Sequence, residues 1–196
     1  MRHTRLAMVL MLALSVSCGS VDSTAPALPT PTLDQRFEPG AANTAGGFEN
    51  MGARAQTFTV GLTGTLTSVD LILSSGPTAD DVLRVDIRGT TGGNPNLDDG
   101  AVLGSRLVSG LGLPVNNTSE FVSIDFSSLN IQVIAGQQLA IVIMRVVGSG
   151  GSDVLWVGEN QLEDYPAGHD VQRNGGSGTT WTSLTNDFYF RTYVQL

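Results

Sequence analysis

Apolar and polar residues alternate with a period of two through most of the chain, and this constrains the fold more than any other feature. In residues 83–88, Leu83, Val85 and Ile87 alternate with charged side chains, Asp86 among them. Successive side chains of a β-strand point to opposite faces, so the pattern predicts a strand with one buried face and one wet face. No stretch of a dozen residues has the 3.6-residue period of an amphipathic helix.

Further strands are predicted at residues 66–73, 122–126, 139–147 and 188–194. The third of these is continuously apolar, as in a central strand that is covered on both faces. Glycine-rich turn signals separate the strands, and the chain has 24 glycines in 196 residues. Eight or so short strands of this kind predict an all-β chain, an antiparallel β-sandwich of the jelly-roll type. A closed barrel is the alternative.

The amino-terminal end predicts export. Basic residues within positions 2–5 precede an apolar run at 6–16, which is shorter than the roughly 20 residues that cross a bilayer but typical of a signal peptide. Small residues, Ser15 and Ser17, then stand before Cys18. This arrangement resembles a bacterial lipoprotein signal, in which the cysteine after the cleaved bond takes a diacylglycerol thioether. It departs from that pattern at Ser15, where such signals usually have leucine.

The resemblance implies a signal peptide over 1–17, a lipidated Cys18 opening a tether over 18–33, and a folded domain over 34–196. Acylation would also remove the oxidation liability of a lone exposed thiol. Gly19 resembles the outer-membrane sorting pattern, so we expect a protein anchored in the cell envelope, at the outer membrane of a Gram-negative host. Plain secretion with a free Cys18, or an uncleaved anchor, are the alternatives.

The segment after the cysteine predicts a spacer. Residues 19–32 are rich in Ser, Thr, Pro and Ala, and an extended chain of this length at roughly 3.1 Å per residue reaches some 40 Å. Cleavage would leave eight arginines, no lysine and 18 acids, a formal charge of −10. That charge argues against nucleic acid as a partner. Anionic headgroups would also repel a protein of this charge, so the lipid on Cys18 would be what holds it at the membrane.

Several strand and turn patterns resemble a family of exported bacterial domains known as choice-of-anchor domains. The stretches that carry this resemblance are 55–60, 66–71, 100–105, 135–142 and 187–194. The resemblance implies an exported, anchored β-sandwich without an established activity, and it carries over no catalytic residue.

The residues available for chemistry are few. One cysteine and two histidines exclude a disulfide framework and a thiolate zinc cluster, so we expect no cofactor and no metal centre of that kind. Residues 94–100 place oxygen side chains at alternate positions, as in a calcium loop, but lack the closing glutamate and favour a polar hairpin. A structural calcium site near Glu49 or Asp187 is left open by analogy with other jelly-roll modules.

An acidic segment near His169 is the one place where catalysis could be sought. It contains Glu159, Glu163, Asp164 and Asp170, and paired carboxylates can hydrolyse glycosides. A loop interrupted by glycine and proline holds such a pair poorly, so we expect a solvated acidic loop and no enzyme. A glycan-active enzyme is the last alternative.

Aromatic residues near the carboxyl end are the candidate ligand-binding residues: Trp156, Tyr165 and Trp181. Flat rings on a sandwich can stack on sugar faces. Tyr165, next to Pro166 in a loop, is expected to be exposed, whereas core packing is the competing interpretation of each tryptophan. Trp181 also ends a segment, 174–181, that resembles a degenerate Asp-box hairpin, which is a structural motif.

Together these patterns predict a non-catalytic surface lipoprotein that presents a β-sandwich for interaction or for envelope structure. The alternative is a carbohydrate-binding or adhesion module that uses the carboxyl-terminal aromatic residues. Because a charge of −10 disfavours polyanions, a neutral polysaccharide is the expected ligand in that case.

Overall fold

The computed structural model describes residues 29–38, 44–48, 52–77, 79–116, 119–148, 153–158, 165–173 and 180–196. These residues form fifteen strands and three short 3₁₀ helices, and they contain no α-helix. The strands are β1 (Thr32–Phe37), β2 (Thr44–Gly47), β3 (Ala53–Thr59), β4 (Gly64–Leu71), β5 (Leu73–Ser75), β6 (Val82–Thr91), β7 (Asn94–Pro95), β8 (Val102–Ser109), β9 (Val122–Asp125), β10 (Ile131–Val133), β11 (Gln138–Val147), β12 (Val154–Gly158), β13 (Asp170–Arg173), β14 (Thr182–Ser183) and β15 (Phe190–Gln195). The 3₁₀ helices are Asp99–Ala101, Gly110–Gly112 and Ser127–Leu129. Within the described ranges, no helix has the length and apolar character needed to span a membrane.

Two large antiparallel sheets form the sandwich. The five-stranded sheet has the order β1-β15-β4-β10, with β9 also paired to β4. The seven-stranded sheet has the order β14-β13-β3-β11-β6-β7, with β8 also paired to β6. Strands that are far apart in the chain are neighbours in these sheets, since β1 lies beside β15 and β3 lies beside β11. The predicted antiparallel β-sandwich is therefore confirmed; a small third sheet, β2-β12-β5, accompanies it.

The main core lies between the two large sheets. The apolar residues of the alternating segment 83–88 are fully buried in it, as the pattern predicts. Strand β11 is buried on both faces, because its odd-numbered residues 139–143 enter the main core while Ala140 and Val142 join a smaller cluster on the other face. It pairs with β3 on one side and with β6 on the other, which confirms the predicted central strand.

The other face of β6 is not wet, and here the sequence prediction is wrong. Asp86 is fully buried and Arg88 is 5% exposed. A second apolar cluster covers this face of the seven-stranded sheet: Ala53, Ala55, Ala140, Val142 and Val171, with Met144 and Trp181 packed against it. Val171 of β13 and Trp181 lie far from β6 along the chain, so local alternation carries no information about this cluster.

The sandwich begins slightly earlier than expected. Thr32 pairs with Val194 and Leu33 pairs with Tyr193, so the last two residues assigned to the tether belong to β1. Strand β1 is an edge strand of the five-stranded sheet. The chain therefore enters the domain along that edge, next to its own carboxyl-terminal strand.

Candidate functional site

A cavity of about 610 Å³ lies at one end of the seven-stranded sheet. Residues 165, 166, 168–170 and 184–187 line it, with Asp170, Asn186 and Asp187 contributing oxygen atoms and His169 an imidazole ring. The two segments are joined directly, because the Leu184 N–H donates to the Asp170 carbonyl oxygen at 3.3 Å. The sequence clustered Asp170 with His169 but not with Asn186 or Asp187.

Strand pairing places Asp170. It is the first residue of β13 and lies opposite Gln56 of β3. The chain before it runs against the same strand, where the Thr57 N–H donates to the His169 carbonyl oxygen at 2.9 Å. Gly168 permits this close approach, because a Cβ atom at that position would overlap the Thr57 carbonyl group.

Gln56 places the second carboxylate. The Gln56 Nε2 atom donates to Asp187 Oδ1 at 2.7 Å, and Gln56 Oε1 accepts from the Phe188 N–H at 2.8 Å. The Tyr165 N–H donates to Asp187 Oδ2 at 2.8 Å. Asp187 is thus held through both of its oxygens at the wall of the cavity that Asp170 also lines.

The Asp170 carboxyl is in an unfavourable environment for a charge. It is fully buried, and neither of its oxygens has a hydrogen-bond partner among the described residues. Burial, and then the like charge of Asp187, raise the pKa of Asp170 to about 7, although Arg54 and the nearby amides of Asn186 and Asp170 itself act in the opposite direction. Asn186 Oδ1 is also buried without a partner among these residues.

This arrangement has two chemical capacities. A carboxyl with a pKa near 7 can exchange a proton at neutral pH, and a set of oxygen atoms can bind a hard cation. In the part of the chain that the structure describes, no group of three or more His, Cys, Asp or Glu side chains is placed to hold a metal ion. A cation here would therefore depend on the Asn186 amide oxygen and on water besides the two carboxylates.

The structure corrects the prediction that Tyr165 is exposed. Its ring is 5% exposed and packs in the main core, edge-on to Phe190 with ring centroids 5.1 Å apart. Its hydroxyl donates to Gln35 Oε1 at 2.7 Å. Burial, followed by the charge of Asp34, raises the pKa of Tyr165 to about 12. A ring enclosed in this way is not available to stack on a sugar.

The two tryptophans differ. Trp156 is fully buried in the core, so core packing and not ligand stacking is its place in this fold. Trp181 is partly buried against the second cluster, where its Nε1 donates to the Pro95 carbonyl oxygen at 2.8 Å. The Arg173 guanidinium carbon lies 5.6 Å from the Trp181 ring centroid. Of the three candidate rings, only Trp181 retains an accessible part.

Sequence reasoning missed a group of arginines beside Trp181. We call Arg84, Arg88, Arg173 and Asp86 the arginine face; it lies on the outer side of the seven-stranded sheet. Asp86 Oδ2 accepts from Arg88 at 3.1 Å, and Asp86 Oδ1 lies 3.1 Å from Arg84 Nε. Burial, and then the like charges of Arg88 and Arg84, lower the pKa of Arg173. The sequence signal for the arginine face is the pair of arginines in β6. Arg173 comes near them only because β13 pairs with β3.

Several predicted features lie outside the described residues. They are the signal peptide, Cys18, most of the tether, Glu49, the acids Glu159, Glu163 and Asp164, and residues 174–179 of the Asp-box-like segment. The acidic loop is therefore represented in the structure only from Tyr165 onward.

The chain matches no family model, and no curated protein matches it. What this chain does is therefore inferred from its own residues and geometry.

Proposed function

We propose that this chain is a non-catalytic module of the cell envelope, exported and held by lipid on Cys18, whose β-sandwich presents an interaction surface. The observation that carries this proposal is the arginine face. There the partly exposed Arg84 and the buried Arg88 pair with the carboxylate of Asp86. Arg173 lies near them, since burial and then the like charges of Arg88 and Arg84 lower its pKa, and the chain as a whole has a formal charge of −8. A local excess of positive charge on an acidic protein supports a surface that meets a partner, not one that is merely solvated.

The edge position of β1 supports the anchoring. Thirteen residues separate Cys18 from Thr32, where the sandwich begins. One acyl chain binds a membrane only marginally and two or more bind stably, so a multiply acylated Cys18 would hold the domain permanently. The tether would then let the sandwich stand clear of a lipid surface that repels its negative charge.

Fractionation of cells tests the anchoring. Cys18→Ala should move the protein from the detergent phase to the aqueous phase, or leave an unprocessed precursor, because the acyl acceptor is gone. Ser20→Ala is the matched control, since it changes a neighbouring small residue and keeps the cysteine; it should remain in the detergent phase. Wild-type protein in the aqueous phase would contradict the proposal.

The second candidate is a carbohydrate-binding module, and the partly exposed Trp181 favours it. An indole ring can stack on a sugar, and adjacent guanidinium groups can donate hydrogen bonds to sugar hydroxyls. A neutral polysaccharide remains the expected ligand because the whole mature chain is strongly acidic. This candidate rests on Trp181 alone, since Trp156 and Tyr165 are enclosed in the core.

A glycan array with the mature chain tests this candidate. Binding to neutral glycans that is lost in Trp181→Ala would support it, whereas Leu111→Ala, at a residue that is 79% exposed elsewhere, should leave binding unchanged. Binding that survives Trp181→Ala would exclude this ring as the site. If the chain binds only acidic glycans, and Arg173→Gln abolishes that binding, the arginine face would instead be the site for an anionic partner.

A further inference from the structure

Three buried oxygen atoms line one corner of the cavity without partners. They are both carboxylate oxygens of Asp170 and the amide oxygen of Asn186, and none has a hydrogen-bond partner among the described residues. Buried polar atoms nearly always have hydrogen-bond partners, and each one without a partner destabilises the fold, a charged one most of all. The charge of Arg54 already acts on Asp170, but it leaves these three acceptors without hydrogen-bond partners, so the cavity favours a further positive group beside them.

A proton does not meet this requirement. Protonation would neutralise Asp170 but could supply a donor to only one acceptor. The amide oxygen of Asn186 has no comparable option, and Asp187 adds a further carboxylate to the same wall. A cation, by contrast, satisfies several oxygens at once and offsets the repulsion between the two carboxylates.

We infer that the corner of the cavity formed by Asp170, Asn186 and Asp187 binds a hard divalent cation, and that Ca²⁺ fits it best. The groups present are all oxygens, which hard cations prefer. Ca²⁺ accepts six to eight oxygen ligands in irregular geometry, whereas Mg²⁺ demands a near-ideal octahedron. The remaining ligands would be water, for which a cavity of about 610 Å³ has room.

The expected affinity is modest, and its relevance rests on the proposed function. Two carboxylates and an amide are a small ligand set, comparable to extracellular calcium modules with Kd of about 10⁻⁴–10⁻³ M. Such affinity is useful only to a protein exported to where Ca²⁺ is abundant. Because Asp170 and Asn186 belong to different segments, the cation would tie residues 165–170 to residues 184–187.

Terbium luminescence of the full mature chain, stripped of metal with a chelator, tests the inference. Tyr165 lines the same cavity, so its ring can sensitise bound Tb³⁺. We expect saturable emission that Ca²⁺ displaces, and roughly tenfold or greater weakening in Asp170→Asn. Ca²⁺ at about ten times Kd should also raise Tm by about 3–6 °C. Asn is neutral and nearly isosteric with Asp, so Asp170→Asn should fold. If circular dichroism shows that Asp170→Asn does not fold, Asn186→Ala replaces it in the same test.

Asp98→Asn is the matched control. Asp98 is an exposed carboxylate in the loop whose sequence resembles a calcium loop, so this variant removes the same charge elsewhere. Loss of binding in Asp98→Asn but not in Asp170→Asn would overturn the inference in favour of that loop. Absence of Ca²⁺-displaceable emission in the wild-type chain would overturn it as well, and would favour an Asn186 amide turned over to donate its N–H. Neither result bears on the anchoring through Cys18, which fractionation tests separately.

Discussion

The ring of Trp156 stacks on the ring of Phe188, with centroids 4.5 Å apart and an interplanar angle of 16°. The indole Nε1 also donates to the Tyr189 carbonyl oxygen at 3.1 Å. These contacts join β12 of the small sheet to the segment that leads into β15 of the five-stranded sheet. Trp156 therefore links two sheets, and its hydrogen bond satisfies the polar atom of a fully buried side chain.

We expect Trp156→Ala to lower the free energy of unfolding by about 3–5 kcal/mol, because it leaves a large cavity in the core. Trp156→Phe keeps a stacked ring and loses the hydrogen bond, so it should cost distinctly less. Urea unfolding followed by circular dichroism measures both. A loss below about 1 kcal/mol in Trp156→Ala would contradict the buried placement of the indole.

Asp86 provides a second test of the fold. We expect Asp86→Asn to destabilise the domain by about 3–5 kcal/mol, because the buried Arg88 would lose the carboxylate that pairs with it. Asp99→Asn removes an exposed carboxylate and should fall within about 0.5 kcal/mol of wild type. Equal stability of the two variants would show that Asp86 lies on a solvated face after all.

The local alternation of apolar and polar residues was sufficient to predict the strands, but it did not predict which distant residues pack on them. The alternation in residues 83–88 predicted β6 and its buried apolar side correctly. It misassigned Asp86, because the same side of the sheet carries a second apolar cluster, and Val171 and Trp181 of that cluster lie at least 85 positions away from Asp86 in sequence. A period of two distinguishes the two faces of a strand, but a charged face can also be buried when its charges pair.

The candidate site was harder to predict for the same reason. Asp170 was noticed as one of several acids, but its pKa is raised by burial and then by the charge of Asp187. Gln56 holds Asp187 in place through a contact that spans more than 100 residues. Tyr165 looked exposed because proline follows it, yet its hydroxyl meets Gln35, 130 positions earlier. Such pairings become evident only once the strand order of the two sheets has brought the segments together.

The raised pKa of Asp170 predicts how stability varies with pH in the metal-free protein. The folded chain retains a proton that the unfolded chain releases between about pH 4 and pH 7, so the free energy of unfolding should fall across that interval as pH rises. A decrease of about 1–4 kcal/mol is expected from this group. Asp170→Asn should remove that decrease while keeping His169, Asp187 and Arg54. If the free energy of unfolding of the wild-type chain varies with pH in the same way as that of Asp170→Asn, the raised pKa of Asp170 would be contradicted.

Gly168 offers a test of how the cavity wall is built. We expect Gly168→Ala to destabilise the domain by about 1–3 kcal/mol, because its methyl group would overlap the Thr57 carbonyl group and push the loop away from β3. Gly112→Ala is the control, since a Cβ there meets no atom of the described chain within 4 Å. Thermal unfolding compares the two, and a Gly168→Ala variant as stable as Gly112→Ala would show that the loop does not approach β3 this closely.

Mass spectrometry of the amino-terminal peptide of the mature protein tests the anchored-module proposal most directly. The result we predict is a chain that begins at Cys18 and carries a diacylglyceryl group on its sulfur, recovered from the membrane fraction. A mature chain that begins at Cys18 with an unmodified thiol, or one that begins elsewhere and is found in the medium, would contradict it.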